Sequence, residues 1–173
     1  MTDLKSKEIR SEITSEGKLN LSIVTSDVPT PSDDEVLIKV EASPINPSDL
    51  GLLISFAADL DSISSQGSGD NTVTSMGIHP GLMQSMKPRI DKSMKVGNEG
   101  GGVIVDAGKN AKNLIGKTVG VAGGAMYSQY RCLPAMSCMV MNEGTTSAEA
   151  ASSFVNPLTC LLYTSPSPRD TAI

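Results

Sequence analysis

Hydrophobic and polar residues alternate in two stretches near the start of the chain, Lys18 to Thr25 and Glu35 to Glu41. Alternation with a period of two places one set of side chains on each face of an extended strand, so both stretches predict half-buried β-strands. Between them, residues 28–34 carry two prolines and two aspartates. These residue types favour a connecting loop, because proline fixes φ and aspartate bonds its own backbone. The pattern predicts a hairpin-like opening to a β domain.

Short extended segments continue the β pattern in the second half of the chain. Residues 102–108 and 117–122 are apolar runs bounded by turn residues, and Tyr127 to Leu133 is a third segment of similar length. Runs of this kind between glycine-containing turns predict strands.

Residues 146–149, Thr-Ser-Ala-Glu, have the form of a capping box. In this motif the threonine hydroxyl and the glutamate carboxylate each bond a backbone N–H that a helix start leaves unpaired. The motif predicts a helix that begins there and runs through Ala150, Ala151 and Phe154. Many short strands, long loops and one late helix predict a mainly β fold, a partly open β barrel with one appended helix.

The segment from Leu52 to Lys95 has no regular pattern along most of its length. It begins apolar, becomes rich in serine and glycine between residues 62 and 75, and then carries Leu82, Met83 and Met86 at helical spacing. We predict a loop that contains one short helix.

Composition narrows the class of protein. A chain of 173 residues with 39% hydrophobic and 19% charged residues is sufficient for one domain with a core. The net charge of -5 argues against nucleic-acid binding, which needs clustered Lys and Arg. Residues 1–16 lack the apolar region of a signal peptide, and no apolar stretch reaches the length of a membrane span. We therefore expect a soluble, cytoplasmic protein without nucleic-acid or membrane partners.

The cysteines and the single histidine do not form a metal pattern. Cys132, Cys138 and Cys160 form no C-x-x-C pair, and their number is odd. Free thiols in a reducing compartment are therefore expected instead of a disulfide framework or a zinc knuckle. His79 lies beside Pro80 without a second ligand at metal spacing.

Four local motifs follow one another in the order and spacing of a known family. They are Pro-Ile-Asn-Pro-Ser-Asp at 44–49, Val-Gly-Asn-Glu-Gly-Gly-Gly at 96–102, Gly-Lys-Thr-Val-Gly at 116–120 and Phe-Val-Asn-Pro-Leu-Thr at 154–159. Together they resemble the N-terminal, GroES-like domain of the zinc-free medium-chain dehydrogenases and reductases, in the quinone oxidoreductase-like and trans-2-enoyl-CoA reductase-like branch. The resemblance spans roughly residues 18–159. It implies a GroES-like, partly open β barrel with a C-terminal helix that leads toward a missing Rossmann domain.

The resemblance also implies a domain organisation. Residues 1–17 are an N-terminal lead, residues 18–145 are the GroES-like (alcohol dehydrogenase-like N-terminal) domain with an insertion at 52–95, and residues 146–159 start a linker helix. The insertion at 52–95 resembles one in bacterial quinone reductase-like members. It is expected to be either a substrate-facing lid or a surface insertion, and the tolerance of loops for insertions favours the second.

The end of the chain departs from the family pattern. Residues 160–173 are expected to be a non-native tail, because Pro166 and Pro168 cannot continue a helix and the stretch resembles translated sequencing adapter. No G-x-G-x-x-G follows a strand, and the glycines of residues 97–102 precede one. We therefore expect a truncated protein, a fragment that is itself inactive and binds no cofactor.

The same motifs imply an enzyme without zinc. Zinc relatives carry a cysteine ligand in the first motif and Gly-His-Glu in the second, and Zn²⁺ prefers such thiolate and imidazole donors. This chain has Ser48 and Asn98 instead, so no metal-ligating residues are expected. Glu99, which matches a glutamate near the metal in zinc relatives, is then expected to be structural and to accept hydrogen bonds from nearby N–H groups.

Asn46 is the candidate catalytic residue, since the resemblance gives it the place of a polar residue near the nicotinamide. A hydrogen-bond donor at this place would stabilise the oxygen on which negative charge develops during hydride transfer. The alternative is that Asn46 and Asp49 only shape the turn around Pro47, as Asx residues often do. Asn46, Asn156 and Thr159 are the candidate cofactor-binding residues, and NADPH is the cofactor that the family implies.

The implied function of the intact protein is NADPH-dependent, zinc-free reduction of a quinone or another conjugated carbonyl, by a homodimer acting on a small molecule. A trans-2-enoyl thioester reductase is one alternative, although Leu50 to Val96 lacks the tyrosine that these enzymes place there. Tyr127 or Tyr130 could reach the site or simply be packed in a strand. A non-catalytic GroES-like binding module is the other alternative.

Without a nucleotide domain, the start of the last helix is expected to be exposed. The apolar residues concerned are Phe154, Val155, Leu158, Leu161 and Leu162. Contiguous exposed apolar patches drive association, so the chain is expected to self-associate.

Overall fold

The computed structural model describes residues 4–55, 57 and 60–164. Its strands form two five-stranded antiparallel sheets. In chain order the strands are β1 Lys5–Ile13, β2 Lys18–Asp27, β3 Glu35–Ala42, β4 Ser64–Gln66, β5 Val73–Gly77, β6 Met94–Lys95, β7 Gly100–Ala107, β8 Thr118–Val121, β9 Tyr130–Pro134 and β10 Met139–Val140. The first sheet has the order β4-β5-β2-β1-β6, and the second has the order β10-β8-β7-β3-β9. The prediction of a mainly β, partly open fold is confirmed.

Helices contribute little to the described part of the chain. They are α1 Leu50–Leu53, α2 Ser147–Ala151 and α3 Val155–Thr164. Short 3₁₀ turns occur at Leu60–Ser62, Gly69–Asn71, Pro80–Leu82, Lys87–Arg89, Lys112–Leu114 and Ala135–Ser137.

Each sheet has its own hydrophobic core, and residues 127–129 join the two sheets. The backbone N–H of Ile9 in β1 donates to the carbonyl of Tyr127 at 2.9 Å, and that of Val40 in β3 donates to the carbonyl of Gln129 at 2.9 Å. The larger core lies on the second sheet and contains Val36, Ile38, Ile104, Ala107, Ala111, Val119, Val121, Met126 and Leu133. The smaller core lies on the first sheet and contains Ile13, Leu19, Met76 and Ile78.

Residues 5–13 are a strand of the first sheet, although residues 1–17 were expected to be a lead. Strand β1 pairs with β2 along its whole length, from Lys5 opposite Asp27 to Ile13 opposite Leu19. The buried positions of β1 include Ser6, Glu8 and Ser11. Polar residues at buried positions hide the hydrophobic alternation by which a half-buried strand is recognised.

The predicted hairpin between the first two hydrophobic stretches is wrong. Strands β2 and β3 form as the alternation predicts, but they lie in different sheets. Residues 28–34 therefore cross from one sheet to the other. Alternation reveals which face of a strand is buried, whereas the partner of that strand depends on the rest of the fold.

The segment 52–95 completes the first sheet, so the prediction of a loop with one short helix is wrong. It supplies β4, β5 and β6, and its Met76 and Ile78 are buried in the core of that sheet. The helix predicted at Leu82, Met83 and Met86 is replaced by a 3₁₀ turn at Pro80–Leu82 and irregular backbone, from which both methionines pack against the same core. Serine-rich and glycine-rich composition concealed short strands that expose much of their surface to solvent.

The glycines of the second sheet allow helix α2 to lie directly on the strands. A Cβ atom at Gly101 in β7 would lie 2.3 Å from the carbonyl oxygen of Ser147, and one at Gly120 in β8 would lie 2.6 Å from that of Ala150. Real Cβ atoms do not approach other atoms so closely, so these positions require glycine. The predicted strands at 102–108 and 117–122 are confirmed as β7 and β8, and the third predicted segment contains β9, which starts at Tyr130.

The predicted capping box is confirmed at the start of α2. The Thr146 hydroxyl accepts from the Glu149 N–H at 3.2 Å, and the Glu149 carboxylate accepts from the Thr146 N–H at 2.8 Å. The helix ends at Ala151, however, and the chain breaks before α3 begins at Val155. A single helix through Phe154 is therefore wrong. Helix α3 continues to Thr164 across the expected boundary at residue 160, and residues 165–173 lie outside the described residues.

Candidate functional site

A buried carboxylate, that of Asp49, holds two of the sequence motifs against each other. Its Oδ2 accepts from the backbone N–H of Asn46 at 2.8 Å, and its Oδ1 accepts from the backbone N–H of Asn98 at 2.8 Å. Asp49 is 2% exposed. The turn at 44–49 and the turn at 96–99 are therefore fixed to each other by one side chain. This is the turn-shaping role that the sequence allowed for Asp49.

Glu99 lies at the centre of the site and is fully buried. Its Oε1 accepts from the side-chain amide of Asn46 at 2.8 Å. Its Oε2 accepts from the backbone N–H groups of Phe154 at 3.1 Å and Val155 at 2.9 Å. The hydroxyl of Ser43 donates to the backbone carbonyl of Glu99. Glu99 thus accepts N–H groups as expected, and it joins the turn that holds Asn46 to the start of α3.

Tyr127 contacts both strand β1 of the first sheet and the turn at 44–49. Its hydroxyl donates to the carbonyl of Pro44 at 3.0 Å. Burial, together with the nearby Asp49 carboxylate, raises the pKa of Tyr127 to about 12, so the phenol stays protonated at neutral pH. Gly97, with φ of +94°, provides the room, because a Cβ atom there would lie 2.6 Å from the ring of Tyr127. The sequence did not place Tyr127 against this turn, since only the pairing of distant strands brings them together.

Ser48 and Asn98, the residues at which the sequence resemblance expects zinc ligands to be missing, bond each other. The Asn98 side-chain amide donates to the Ser48 hydroxyl at 2.9 Å. Within residues 4–55, 57 and 60–164, no group of three or more His, Cys, Asp or Glu side chains is placed to hold a metal ion. His79 is exposed, and its Nδ1 accepts from the Gly81 N–H at 3.2 Å. It therefore caps the 3₁₀ turn at Pro80–Leu82.

The candidate cofactor-binding residues fall into two environments. Asn46 is 2% exposed and turned toward Glu99, whereas Asn156 and Thr159 lie on the exposed surface of α3. The Thr159 hydroxyl donates to the carbonyl of Val155 at 2.6 Å, one turn earlier in the helix. The structure connects Asn46 to α3 through Glu99, and among the described residues no hydrogen bond joins Asn46 to Asn156 or Thr159 directly.

Much of the apolar surface near the site is open to solvent. Beside Asn46, the side chain of Ile45 is 72% exposed. On α3 the exposed fractions are 52% for Leu158, 61% for Leu161, 79% for Leu162 and 87% for Tyr163. Phe154 and Val155 are half-buried. The exposure expected for the leucines of this helix is therefore present, and that expected for its first residues is only partial.

The three cysteines lie on different elements, and Cys160 is in α3. Cys132 and Cys138 are half-buried and Cys160 is exposed, all as free thiols. Burial raises the pKa of Cys132, and it raises that of Cys138 to about 11. A thiol with a raised pKa is a poor nucleophile at neutral pH.

No helix of the described residues combines the length and the apolar character that a bilayer crossing requires. No protein-family model and no curated protein matches the chain.

Several solved structures do share its fold. A protein from Bacillus thuringiensis that is described as an NADPH:quinone reductase has 21% identity and a TM-score of 0.62, over 92% of this chain and 40% of its own. A mycobacterial protein solved with NADPH has 21% identity and a TM-score of 0.58, over 94% of this chain and 41% of its own. The enoyl reductase CurK has 16% identity and a TM-score of 0.58, over 90% of this chain and 41% of its own.

The chain spans about 40% of the length of these structural neighbours. At such low identity the likeness establishes the fold, whereas the activities of the neighbours apply to those proteins alone. The two-sheet architecture, the four glycine-rich and Asn-Pro motifs, and these neighbours agree with one another. The chain has the GroES-like fold of the medium-chain dehydrogenases and reductases.

Proposed function

We propose that the chain is the substrate-side domain of an oxidoreductase that reduces a quinone or another conjugated carbonyl with NADPH and without zinc. The observation that carries the proposal is the buried contact between Asn46 and Glu99 at the start of α3. It holds a side-chain amide close to the helix on which Asn156 and Thr159 are exposed. Structural neighbours that are named NADPH:quinone reductases support the choice of reaction.

Asn46 is the residue to which we assign the contact with substrate. A side-chain amide has two N–H donors, and the contact with Glu99 uses one of them. Among the described residues no hydrogen-bond partner accepts from the second N–H, so it can donate to the substrate oxygen, which gains negative charge when NADPH supplies a hydride to the conjugated system. A proton from solvent then completes the reduction. Because Asn46 is 2% exposed, access requires a shift of this turn, in which the neighbouring Ile45 and Pro47 are exposed.

The absence of zinc from the proposal follows from the donors at 48 and 98. A serine hydroxyl and an asparagine amide are poor ligands for Zn²⁺ compared with thiolate and imidazole, and here the two bond each other. The exposed amide of Asn156 and the hydroxyl of Thr159 offer hydrogen bonds to a nucleotide lying along α3. We extend the proposal to an active homodimer in a cytoplasmic setting, as the family resemblance implies.

A chimera tests the activity directly. Residues 4–164 would replace the matching part of the Bacillus thuringiensis protein, which supplies the remainder of its own chain. We expect oxidation of NADPH that depends on an added quinone or enal. Asn46→Ala should lower turnover by roughly 10²–10³-fold, the range typical for removal of one donor to a developing oxyanion. The unmodified Bacillus protein is the positive control for assembly. Activity that appears only with added Zn²⁺ and an alcohol would reject the proposal.

An enoyl thioester reductase is the second candidate, and the neighbour named an enoyl reductase favours it. Tyr127 is the available tyrosine, but its hydroxyl donates to the Pro44 carbonyl and its pKa is raised to about 12. We therefore place this candidate after quinone reduction. Assaying the chimera with quinones, enals and enoyl thioesters in parallel, with Tyr127→Phe as the variant, separates the two.

A non-catalytic binding module is the third candidate. It does not explain why a fully buried carboxylate connects Asn46 to the helix that carries Asn156 and Thr159. A folded chimera that binds NADPH but reduces none of the three substrate classes would favour it.

A further inference from the structure

We propose that Glu99 is a positioning residue that couples the orientation of the Asn46 side chain to the start of helix α3. The inference rests on the proposed function for the role of Asn46, but not for the coupling itself. It concerns one carboxylate whose two oxygens serve two different segments: Oε1 holds the Asn46 amide at 2.8 Å, and Oε2 holds the N–H groups of Phe154 and Val155 at 3.1 Å and 2.9 Å.

Helix α3 depends on Glu99 because its own sequence offers no cap. Phe154, which precedes the helix, has an apolar side chain, whereas α2 is capped locally by Thr146 and Glu149. A helix start leaves backbone N–H groups unpaired, and a side-chain oxygen usually satisfies them from the N-cap position. Here a carboxylate from another part of the chain, 55 and 56 positions away, takes that place.

Asn46 depends on Glu99 for its side-chain orientation alone. Its backbone N–H is held separately by Asp49 at 2.8 Å, so the backbone of the turn has an anchor other than Glu99. The side-chain amide donates to Glu99. A displacement of the start of α3 moves the carboxylate and therefore rotates the Asn46 amide, because a buried carboxylate cannot give up its donors without a large desolvation cost.

The coupling is testable in the 173-residue chain by NMR, without any enzymatic assay. Glu99→Gln keeps the size of the side chain but replaces one acceptor oxygen with an NH₂ donor. That NH₂ group then faces either the Asn46 amide or the N–H groups at the helix start, which are themselves donors. We expect amide exchange at Phe154 and Val155 to become roughly five- to tenfold faster, as for the loss of a helix cap. The Asn46 side-chain NH₂ signals should shift or split in the same variant.

Glu149→Ala is the control, since it removes the carboxylate from the cap of the neighbouring helix α2. It should speed exchange in α2 and leave the Asn46 NH₂ signals and the Val155 amide unchanged. A merely structural effect of losing any carboxylate cap would move the Asn46 signals in both variants.

A reciprocal exchange provides the rescue. In the double variant Asn46→Asp with Glu99→Gln, the new amide at position 99 donates to the new carboxylate at position 46, while the amide oxygen accepts the two helix N–H groups. We expect the Phe154 and Val155 exchange rates to return to within about twofold of the wild-type rates, a difference well below one helix cap. Asn46→Asp alone, which sets two buried carboxylates together, should not do so.

The outcomes separate this inference from the proposed function. Unchanged Asn46 NH₂ signals in Glu99→Gln, or no recovery in the double variant, would overturn the coupling even if the chimera reduces quinones. Coupling as expected, with full turnover by the Asn46→Ala chimera, would overturn the catalytic role of Asn46 and leave the coupling standing.

Discussion

The side-chain amide of Asn46 donates a 2.8 Å hydrogen bond to the carboxylate of Glu99, a residue 53 positions further along the chain. Both residues are almost completely buried, at 2% and 0% exposure. Next to this contact, the Asp49 carboxylate accepts from the backbones of both turns. The backbone N–H of Val155, at the start of α3, also donates to Glu99. One buried carboxylate thus joins the turn that contains Asn46 to the start of α3.

Replacing Glu99 should cost stability more than turnover. Three buried N–H groups donate to the two carboxylate oxygens of Glu99. Glu99→Gln removes one of these acceptor oxygens, and an unsatisfied buried donor costs about 1–3 kcal/mol. We expect that loss in the free energy of unfolding, measured with urea. In the chimera, turnover should fall by less than about tenfold, since the remaining oxygen still orients part of the site. Turnover reduced by several orders of magnitude at unchanged stability would contradict this.

Gly97→Ala should destabilise the fold through a clash as well as through backbone strain. Its φ of +94° disfavours any residue with a Cβ atom, and that atom would lie 2.6 Å from the Tyr127 ring and backbone N. Gly116→Ala is the matched control, because φ is +82° there and nothing lies within 4 Å. We expect about 1–2 kcal/mol from strain at Gly116 and a larger loss at Gly97, measured by thermal unfolding. Equal losses would mean that Tyr127 moves aside freely.

Stability should fall at acid pH partly because of Glu8. Burial opposes ionisation of this carboxyl, but hydrogen bonds and charges from Arg10 and Lys95 prevail and lower its pKa below the usual value of 4.5. A carboxyl whose folded pKa is depressed contributes stability above its unfolded pKa and loses it as pH falls through the folded pKa. Melting temperatures should therefore decline below about pH 4.5, and less steeply in Glu8→Gln. Parallel curves for the two proteins would exclude a contribution from Glu8.

The chain of 173 residues should self-associate through α3 and should not bind NADPH. Leu158 and Leu162 are exposed on this helix, four positions apart and hence on one side of it. We expect β-rich circular dichroism and concentration-dependent sedimentation, which Leu158→Ser with Leu162→Ser should reduce. Met136→Ser, at a residue that is 93% exposed elsewhere, is the control. A monodisperse monomer that binds NADPH at micromolar concentration would defeat this prediction, because the sequence contains no dinucleotide motif after a strand.

Several features could be read from the sequence because they depend on neighbours in the chain. The capping box of Thr146 and Glu149 lies within four residues, and alternation identified β2 and β3 from side chains that follow one another. Glu99 was expected to accept N–H groups, and it does.

Other features were decided by tertiary structure, because they depend on contacts between distant segments. Ser6, Glu8 and Ser11 are buried in a strand that no hydrophobic pattern marks, since their partners come from other parts of the fold. The sequence located Asn46 and Glu99, yet only the crossing of two turns determines that one donates to the other. Local patterns determine which elements form, whereas pairing across the chain determines which donors and acceptors meet in the interior.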